Sequence, residues 1–500
     1  MAAVSNPSNA AKIGDAALGP VSAERWDDAR FDAERNKVLA LWRTGAEVDI
    51  DDAVAFHQRM PESKNVPKKR LWAKQTGNVL IQPLAGVTTL KGHIELMQHL
   101  QDVGLCDILP SQIDSQTRTL QFAAAEEKIR ESERTGKELL NGFPLVNHGV
   151  RGVRTLVDAV KVPIEQRIGT VHPQFAAEIG FAGGMSSITA GPIYYCVHYS
   201  RDTTFAQAIA NWQHVFRLIG RYRERGVTLG LQIHGVGNST PFPNTILGVC
   251  CVLEVLIAAA QGARSFSLDS RFMGSMVQDV AAVRAIREIA EEYARKSGYD
   301  DAVITIDRKN WGGRYPDDMA RAYGLISYNV VSGMLAGVNE FIANSVQEGV
   351  GIPVKEANAD TLRAMRQVVG LMQGQGAMLD PAAVAEEVEL NKLEMSAILE
   401  AVLDAGQGDA AKATVAGFAS GMLDIPFAAS RMCRGEVMVA RDTEGAVRYL
   451  DPGRLPLPGR VLKHHRACLA RREAARGGKI DYNAIVDDIF SISRGYLVGK

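Results

Sequence analysis

Nothing in the sequence announces a nucleotide, a catalytic metal or a membrane. It has no Walker loop, no G-x-G-x-x-G after a strand, no G-x-S-x-G elbow and no H-E-x-x-H. ATP hydrolysis, hydride transfer, serine hydrolysis and zinc proteolysis therefore lack the residues they need. The stretch GVGNST (235–240) is too short for a dinucleotide loop. An excess of one charge is also missing: 56 Lys and Arg against 57 Asp and Glu leave a formal net charge of -1, which gives no electrostatic footprint for nucleic acid. No apolar run reaches the length of a membrane span, and the first twenty residues lack a basic start followed by an apolar core, so a soluble protein not exported by a cleaved signal is expected. The six cysteines (Cys106, Cys196, Cys250, Cys251, Cys433 and Cys468) form no C-x-x-C pair and no His grouping at zinc spacing. They read as reduced thiols of a cytoplasmic protein.

What is present is globular: 46% hydrophobic and 23% charged residues sit in the normal range. A chain of 500 residues exceeds what one core usually organises, so one domain of roughly 250–300 residues with an accessory region is expected. From about residue 78 to 345, short apolar runs alternate with longer segments of helical period, the pattern of repeated β-α units around a parallel sheet. The strand candidates are residues 78–86, 106–114, 144–149 (PLVNHG), 163–169, 185–193, 227–235, 264–270, 302–307 and 338–344. Nine is one too many for an eight-stranded barrel, and one of them must be a loop or an extra strand. Between them lie eight amphipathic segments, such as 88–104 and 277–298, with apolar residues at i, i+3, i+4 and i+7.

The pattern predicts a (β/α)8 TIM-type barrel over residues 76–355, an N-terminal arm over 1–75 and a mixed α+β accessory domain over 356–500. In the last, D-T-E-G between alternating apolar residues predicts a hairpin. Barrel chemistry gathers at the C-terminal ends of the strands, which places Leu84, Arg118, His148, Arg167, Thr189, His234, Arg271, Arg308 and Asn344 at the mouth.

Arg167 lies in an otherwise apolar strand, where a guanidinium needs an anionic partner. Arg118 and Arg167 facing one cavity would make a fork-shaped site for carboxylates; the alternative is a structural salt bridge for each. Tyr194, Tyr195 and Tyr199, read as one strand-to-helix loop, could donate to a polar ligand or only pack over the barrel. His198 reads as structural. Glu348 could accept from ribose hydroxyls or be a solvated loop acid. Neither a catalytic lysine nor a metal cluster is legible at the strand ends.

The strings LIQPLAGV, IDSQTR, LLNGFPLVNHGV, QDVAAVRAIREIAEEY, GIPVKEANAD, ARDTEGAVRYL and DDIFSISRG carry a resemblance, from about residue 36 to 500, to the large (epsilon, or E) subunit of glutamate mutase, also called methylaspartate mutase. The resemblance implies a TIM-type barrel and an adenosylcobalamin-dependent carbon-skeleton isomerase, in which cobalt–carbon homolysis gives an adenosyl radical that removes hydrogen from substrate. It also implies a separate cobalamin-binding subunit bearing D-x-H-x-x-G, a string this chain lacks, and a homodimer within a hetero-oligomer.

By the same resemblance Arg118 and Arg167 belong to an arginine claw for substrate carboxylates, Tyr195 and Tyr199 lie near substrate, and Glu348 meets the adenosyl ribose. Four positions depart from the pattern. Leu84 stands where the family has a third claw arginine, and Thr189 where it has a glutamate associated with the substrate amino group. Gln232 replaces a second glutamate, and Asn344 a lysine close to the adenosyl moiety. Losing a clamp on a desolvated carboxylate would cost roughly 3–5 kcal/mol if that carboxylate still had to bind there, so Leu84 points either to a substrate lacking that charge or to another cation reaching in, with Arg271 and Arg308 as candidates. With Thr189 unable to neutralise an ammonium, the expectation is a glutamate analogue, such as a 2-oxo acid or a derivatised carboxylate. The rival readings are a silent or regulatory mutase-like subunit and a cobalamin-independent barrel lyase.

Overall fold

The computed structural model describes residues 21–237, 241–348, 350, 353–375 and 379–499; the first twenty residues of the arm and residues 238–240 of GVGNST lie outside them. Eight parallel strands form the central sheet: β1 (Leu80–Pro83), β2 (Leu109–Gln112), β3 (Ile164–Arg167), β4 (Ser187–Ala190), β5 (Gly230–Ile233), β6 (Ser265–Arg271), β7 (Val303–Lys309) and β8 (Glu340–Ala343). They run β1-β8-β7-β6-β5-β4-β3-β2, each paired in parallel with the next, with helices intervening, as in a TIM-type (β/α)8 barrel.

The seam between β1 and β2 is closed by isolated hydrogen bonds, Asp107 N to Ile81 O at 2.9 Å and Gln112 N to Ala85 O at 3.3 Å. Two prolines account for the missing ladder. Leu109 N and Ile113 N donate towards β3 whereas Gln112 N donates towards β1, so the intervening Pro110 falls on the β1 side. Pro83 likewise shares with Ile81 the side of β1 that faces β2. Neither proline has an N–H to give.

The surplus ninth candidate, PLVNHG, is not a strand. It opens the helix Leu145–Asp158, kinked at Gly149 (φ 68°, ψ -176°). The apolar run imitates a strand, but buried Val146, Val150, Val153 and Val157 recur at helical spacing and continue the period of the residues that follow.

Strand alternation divides the barrel into two environments. The outward set, including Ile188, Leu231, Phe266, Leu268, Ile304 and Phe341, is buried against the helices. The inward set is polar, where barrels usually place branched apolar residues.

The helix Val66–Thr76 forms the floor. Its Val66 and Ala73 pack with Leu80 and Ile108, and Pro67 comes so close to β5 that a Cβ on Gly230 would lie 2.9 Å from its ring. Asn65 caps this helix by accepting from Lys68 N, which fixes where the chain enters beneath the strands.

Beyond β8 follow the helices Lys355–Met372, Pro381–Ala405 and Ala410–Ser420. The antiparallel hairpin β9 (Met438–Arg441) and β10 (Val447–Asp451) then appears where D-T-E-G predicted it. Asp442 orders the turn by accepting from Glu444 N and Ala446 N, with Gly445 at φ 81°. Among the described residues no helix is long and apolar enough to cross a membrane, and all six cysteines are free thiols.

Candidate functional site

Three strands repeat one arrangement: an acid, one residue, then a cation. Glu165 and Arg167 lie on β3, Asp269 and Arg271 on β6, and Asp307 and Lys309 on β7. Residues two apart share a face, so each acid points into the barrel with its cation one layer nearer the mouth.

In the floor layer Arg70 enters from below and binds Glu340 (Nε to Oε2, 2.6 Å) and Glu165 (2.9 Å). The two acids respond differently. Glu165 lies between Arg70 and Arg167 and stays below its usual range, whereas Glu340, with only Arg70 bonded to it and Glu165 nearby, is pushed up by burial. Mid-barrel, Asp307 accepts from Ser267 Oγ at 2.7 Å and is driven well up by burial and by repulsion from Asp269 and Glu340.

Arg167 is the hub of the next layer. Its Nη1 donates to Gln232 Oε1 (2.7 Å), Gln82 Oε1 (2.8 Å) and Glu165 Oε2 (3.2 Å), and its Nη2 to His234 Nε2 (3.2 Å). A guanidinium can only donate, so His234 accepts through Nε2 and carries its proton on Nδ1. Burial and the surrounding cations hold its pKa well below the normal value. His234 Nδ1, Gln82 Nε2 and Gln232 Nε2 are buried donors with no partner among the described residues, each an incentive to bind an acceptor.

Thr189 is occupied. Its Oγ1 accepts from Ile168 N and from the Tyr195 hydroxyl, both at 3.0 Å, and donates to Ile168 O. Tyr195 therefore spends its proton on Thr189 and offers a ligand only lone pairs. The tyrosines arise not from a loop but from the short helix Pro192–Tyr199. Glu254 holds its start by accepting from Ile193 N at 2.8 Å; burial raises that carboxyl to about 8. Tyr195 meets Tyr199 edge-on at 5.5 Å, and Arg118 lies 5.6 Å from the Tyr199 ring centroid, within cation–π reach. A Cβ on Gly169 would lie 2.8 Å from Tyr199 and 3.3 Å from the Arg118 guanidinium carbon, so this approach requires glycine. His198 is structural: its Nε2 accepts from Gly237 N and its ring packs on Tyr194.

At the opposite rim the Asn344 side chain bonds to Glu348, while its Oδ1 is buried without a partner among the described residues. Leu84, just past β1, is half-buried. The predicted residues thus form connected groups: Arg167 with Gln232, Thr189 with Tyr195, Tyr195 through Tyr199 to Arg118, and Asn344 with Glu348.

Three expectations fail. His148 is on the kinked helix, stacked on Phe143 and donating to Thr88 O. Arg308 faces the helices, binding Ser332 Oγ at 2.9 Å and Arg271 O at 3.0 Å, and Arg271 pairs with Asp269 at 2.7 Å. Neither is a spare cation. A lysine does stand at a strand end: β7 extends two residues beyond the predicted strand, because its ladder with β6 continues to Arg271 and Lys309. Lys309 was legible as the third acid-x-cation pair. No group of three or more potential metal ligands occurs among the described residues.

The sequence profile described as "Methylaspartate mutase E chain" matches residues 60–500. The chain is similar to proteins named "Glutamate mutase epsilon subunit" from Desulfitobacterium hafniense, 40% identical over 470 residues (94% of this chain, 97% of that one), and from Treponema denticola, 39% identical over 473 residues (95% and 97%). That of Escherichia coli O157:H7 is 36% identical over 471 residues (94% and 97%).

Proposed function

The chain belongs to the methylaspartate mutase E chain family, and from that premise we propose that it is the substrate-holding subunit of an adenosylcobalamin-dependent carbon-skeleton mutase. Its reaction is of the glutamate/3-methylaspartate type, acting on glutamate or an analogue, in a cytoplasmic hetero-oligomer built on a homodimer. The observation that carries the reading is the donor-rich mouth, in which the Arg118 guanidinium, on its tyrosine, has no ion pair among the described residues. That arrangement suits a carboxylate, because a guanidinium presents paired parallel donors to one.

The rim fits the adenosyl group. Asn344 Oδ1 is a buried acceptor without a partner among the described residues and Glu348 presents an exposed carboxylate beside it, a pair suited to two ribose hydroxyls. When bound, the cofactor supplies a carbon radical by homolysis of its cobalt–carbon bond. The chain's own contribution is positional. Arg118 and Arg167 orient the acid, the tyrosine wall covers it, and the buried interior keeps water from the reacting carbons. Cobalt ligation from below falls to a separate subunit carrying D-x-H-x-x-G.

Mixing the chain with such a subunit and adenosylcobalamin should give a cob(II)alamin radical signal by spin resonance that depends on substrate. A signal absent with every glutamate-like acid would favour a silent subunit, and turnover without cobalamin would favour a lyase using Lys309.

A further inference from the structure

We propose that Lys309 is a substrate-anchoring residue: its ammonium takes one carboxylate of a dicarboxylic acid that bears no ammonium group, while Arg118 takes the other. The inference rests on the mutase reading above and names the substrate class of the same mouth.

Lys309 points inward. Its neighbour Arg308 reaches the helix layer and the next residue back, Asp307, bonds Ser267 inside the barrel, so strand alternation turns Lys309 to the interior. It is half-buried and interacts electrostatically with Arg271 and Asp269 of β6, Arg167 of β3 and Glu348 beyond β8. His198 and His234 face it as well, both held neutral at pH 7.

Every other interior cation has a partner: Arg70 holds Glu165 and Glu340, Arg167 holds Glu165, and Arg271 holds Asp269. Arg118 and Lys309 have no ion pair or side-chain hydrogen bond to a described residue. Two unpaired cations over one interior call for two negative charges.

The acids give the complementary result. Glu165, Asp269 and Glu340 are committed to guanidinium groups, Asp307 is driven up, and the hydroxyl of Thr189 is saturated. Glu348, at the rim and exposed, is the remaining acid. A substrate ammonium inside would meet carboxyls already ion-paired or driven towards the neutral form and would face Lys309 and Arg271.

Burial and Arg271 lower the Lys309 amine to about 7. An incoming carboxylate restores the charged form, so binding at pH 8 should draw a proton from solution, and affinity should fall as pH rises above that value.

Calorimetry on the full chain, with glutarate, 2-oxoglutarate and L-glutamate as probes in buffers of different ionisation enthalpy, tests this. Either dicarboxylate should bind about tenfold or more tighter than L-glutamate, with uptake approaching one proton at pH 8. Lys309→Met should weaken binding about 10- to 100-fold and abolish the uptake at unchanged melting temperature; Lys309→Arg should keep much of the affinity without the uptake. Equal or tighter binding of L-glutamate, unaltered affinity in Lys309→Met, or no binding of either dicarboxylate overturns the proposal. The mutase reading fails separately. Lys309-dependent binding with no radical signal alongside a cobalamin-binding subunit would leave the anchor standing, whereas an L-glutamate-driven signal indifferent to Lys309→Met would do the reverse.

Discussion

The two ends of the barrel use the same side chains for opposite purposes. At the floor, Arg70 is gripped by carboxylates from β3 and β8. At the mouth, Arg118 rests on an aromatic ring, and neither it nor Lys309 has an ion pair among the described residues. β3 serves both ends, its Glu165 closing the floor and its Arg167 holding the mouth. A buried charge is tolerable when paired and costly when alone, so the floor charges are ion-paired within the fold, whereas the mouth leaves two cations without an acid among the described residues. That matches the division of labour in such barrels between a stability face and a chemistry face.

The contrast is most severely tested at Arg70. Arg70→Met strands Glu165 and Glu340 and should destabilise the fold by about 3–5 kcal/mol in denaturant unfolding; a loss below about 1 kcal/mol would mean the floor pair contributes as little as a surface one.

Glu254 supplies a third environment, a buried acid with no cation. Its folded-state pKa of about 8 exceeds the unfolded value, so the native state keeps a proton that the unfolded chain releases. Stability is therefore lost as pH rises from about 4.5 to 8, by up to about 1.4 kcal/mol per unit. Glu254→Gln, which still accepts from Ile193 N, should melt like wild type at pH 5 and higher at pH 8. Parallel melting curves across that window would count against a proton on this carboxyl.

The smallest effect on folding is expected at the mouth. Arg118→Lys should leave the melting temperature unchanged and weaken glutarate binding about tenfold, because a point charge cannot supply paired donors. Arg167→Lys should lower both, losing about 1–3 kcal/mol of stability with its bonds to Gln82, Gln232 and His234. Should Arg118→Lys destabilise as much as Arg167→Lys, the mouth would be as structural as the floor.

Much of this was legible without coordinates. Eight of the nine apolar runs are strands because a parallel strand needs an apolar outward face, whatever it points inward. The ninth failed because PLVNHG shares its residues with a helical period, and a short apolar run is ambiguous between the two. Arg167 was found as a cation at a strand end, whereas Arg118, expected at one, lies six residues beyond β2 at the end of the helical turn Ser115–Arg118. Lys309 was missed because the predicted strand stopped at Asp307, which promoted Arg308, its neighbour of the wrong parity. The occupation of Thr189 by the Tyr195 proton could not be read from residues six apart, since it depends on how the helix Pro192–Tyr199 folds back over β4.

By itself, then, the sequence determined the repeated β-α period, the polar inward face and the acid-x-cation pairs of β3, β6 and β7, because these depend on spacings of two to a few residues that any extended strand must honour. Only the tertiary structure decided which charges end up satisfied. Arg70 meets Glu340 across 270 positions of chain, and no local rule specifies that one cation finds its acid while Arg118 and Lys309 find none among the described residues. Pairing is settled when the cylinder closes and separation in sequence becomes proximity in space.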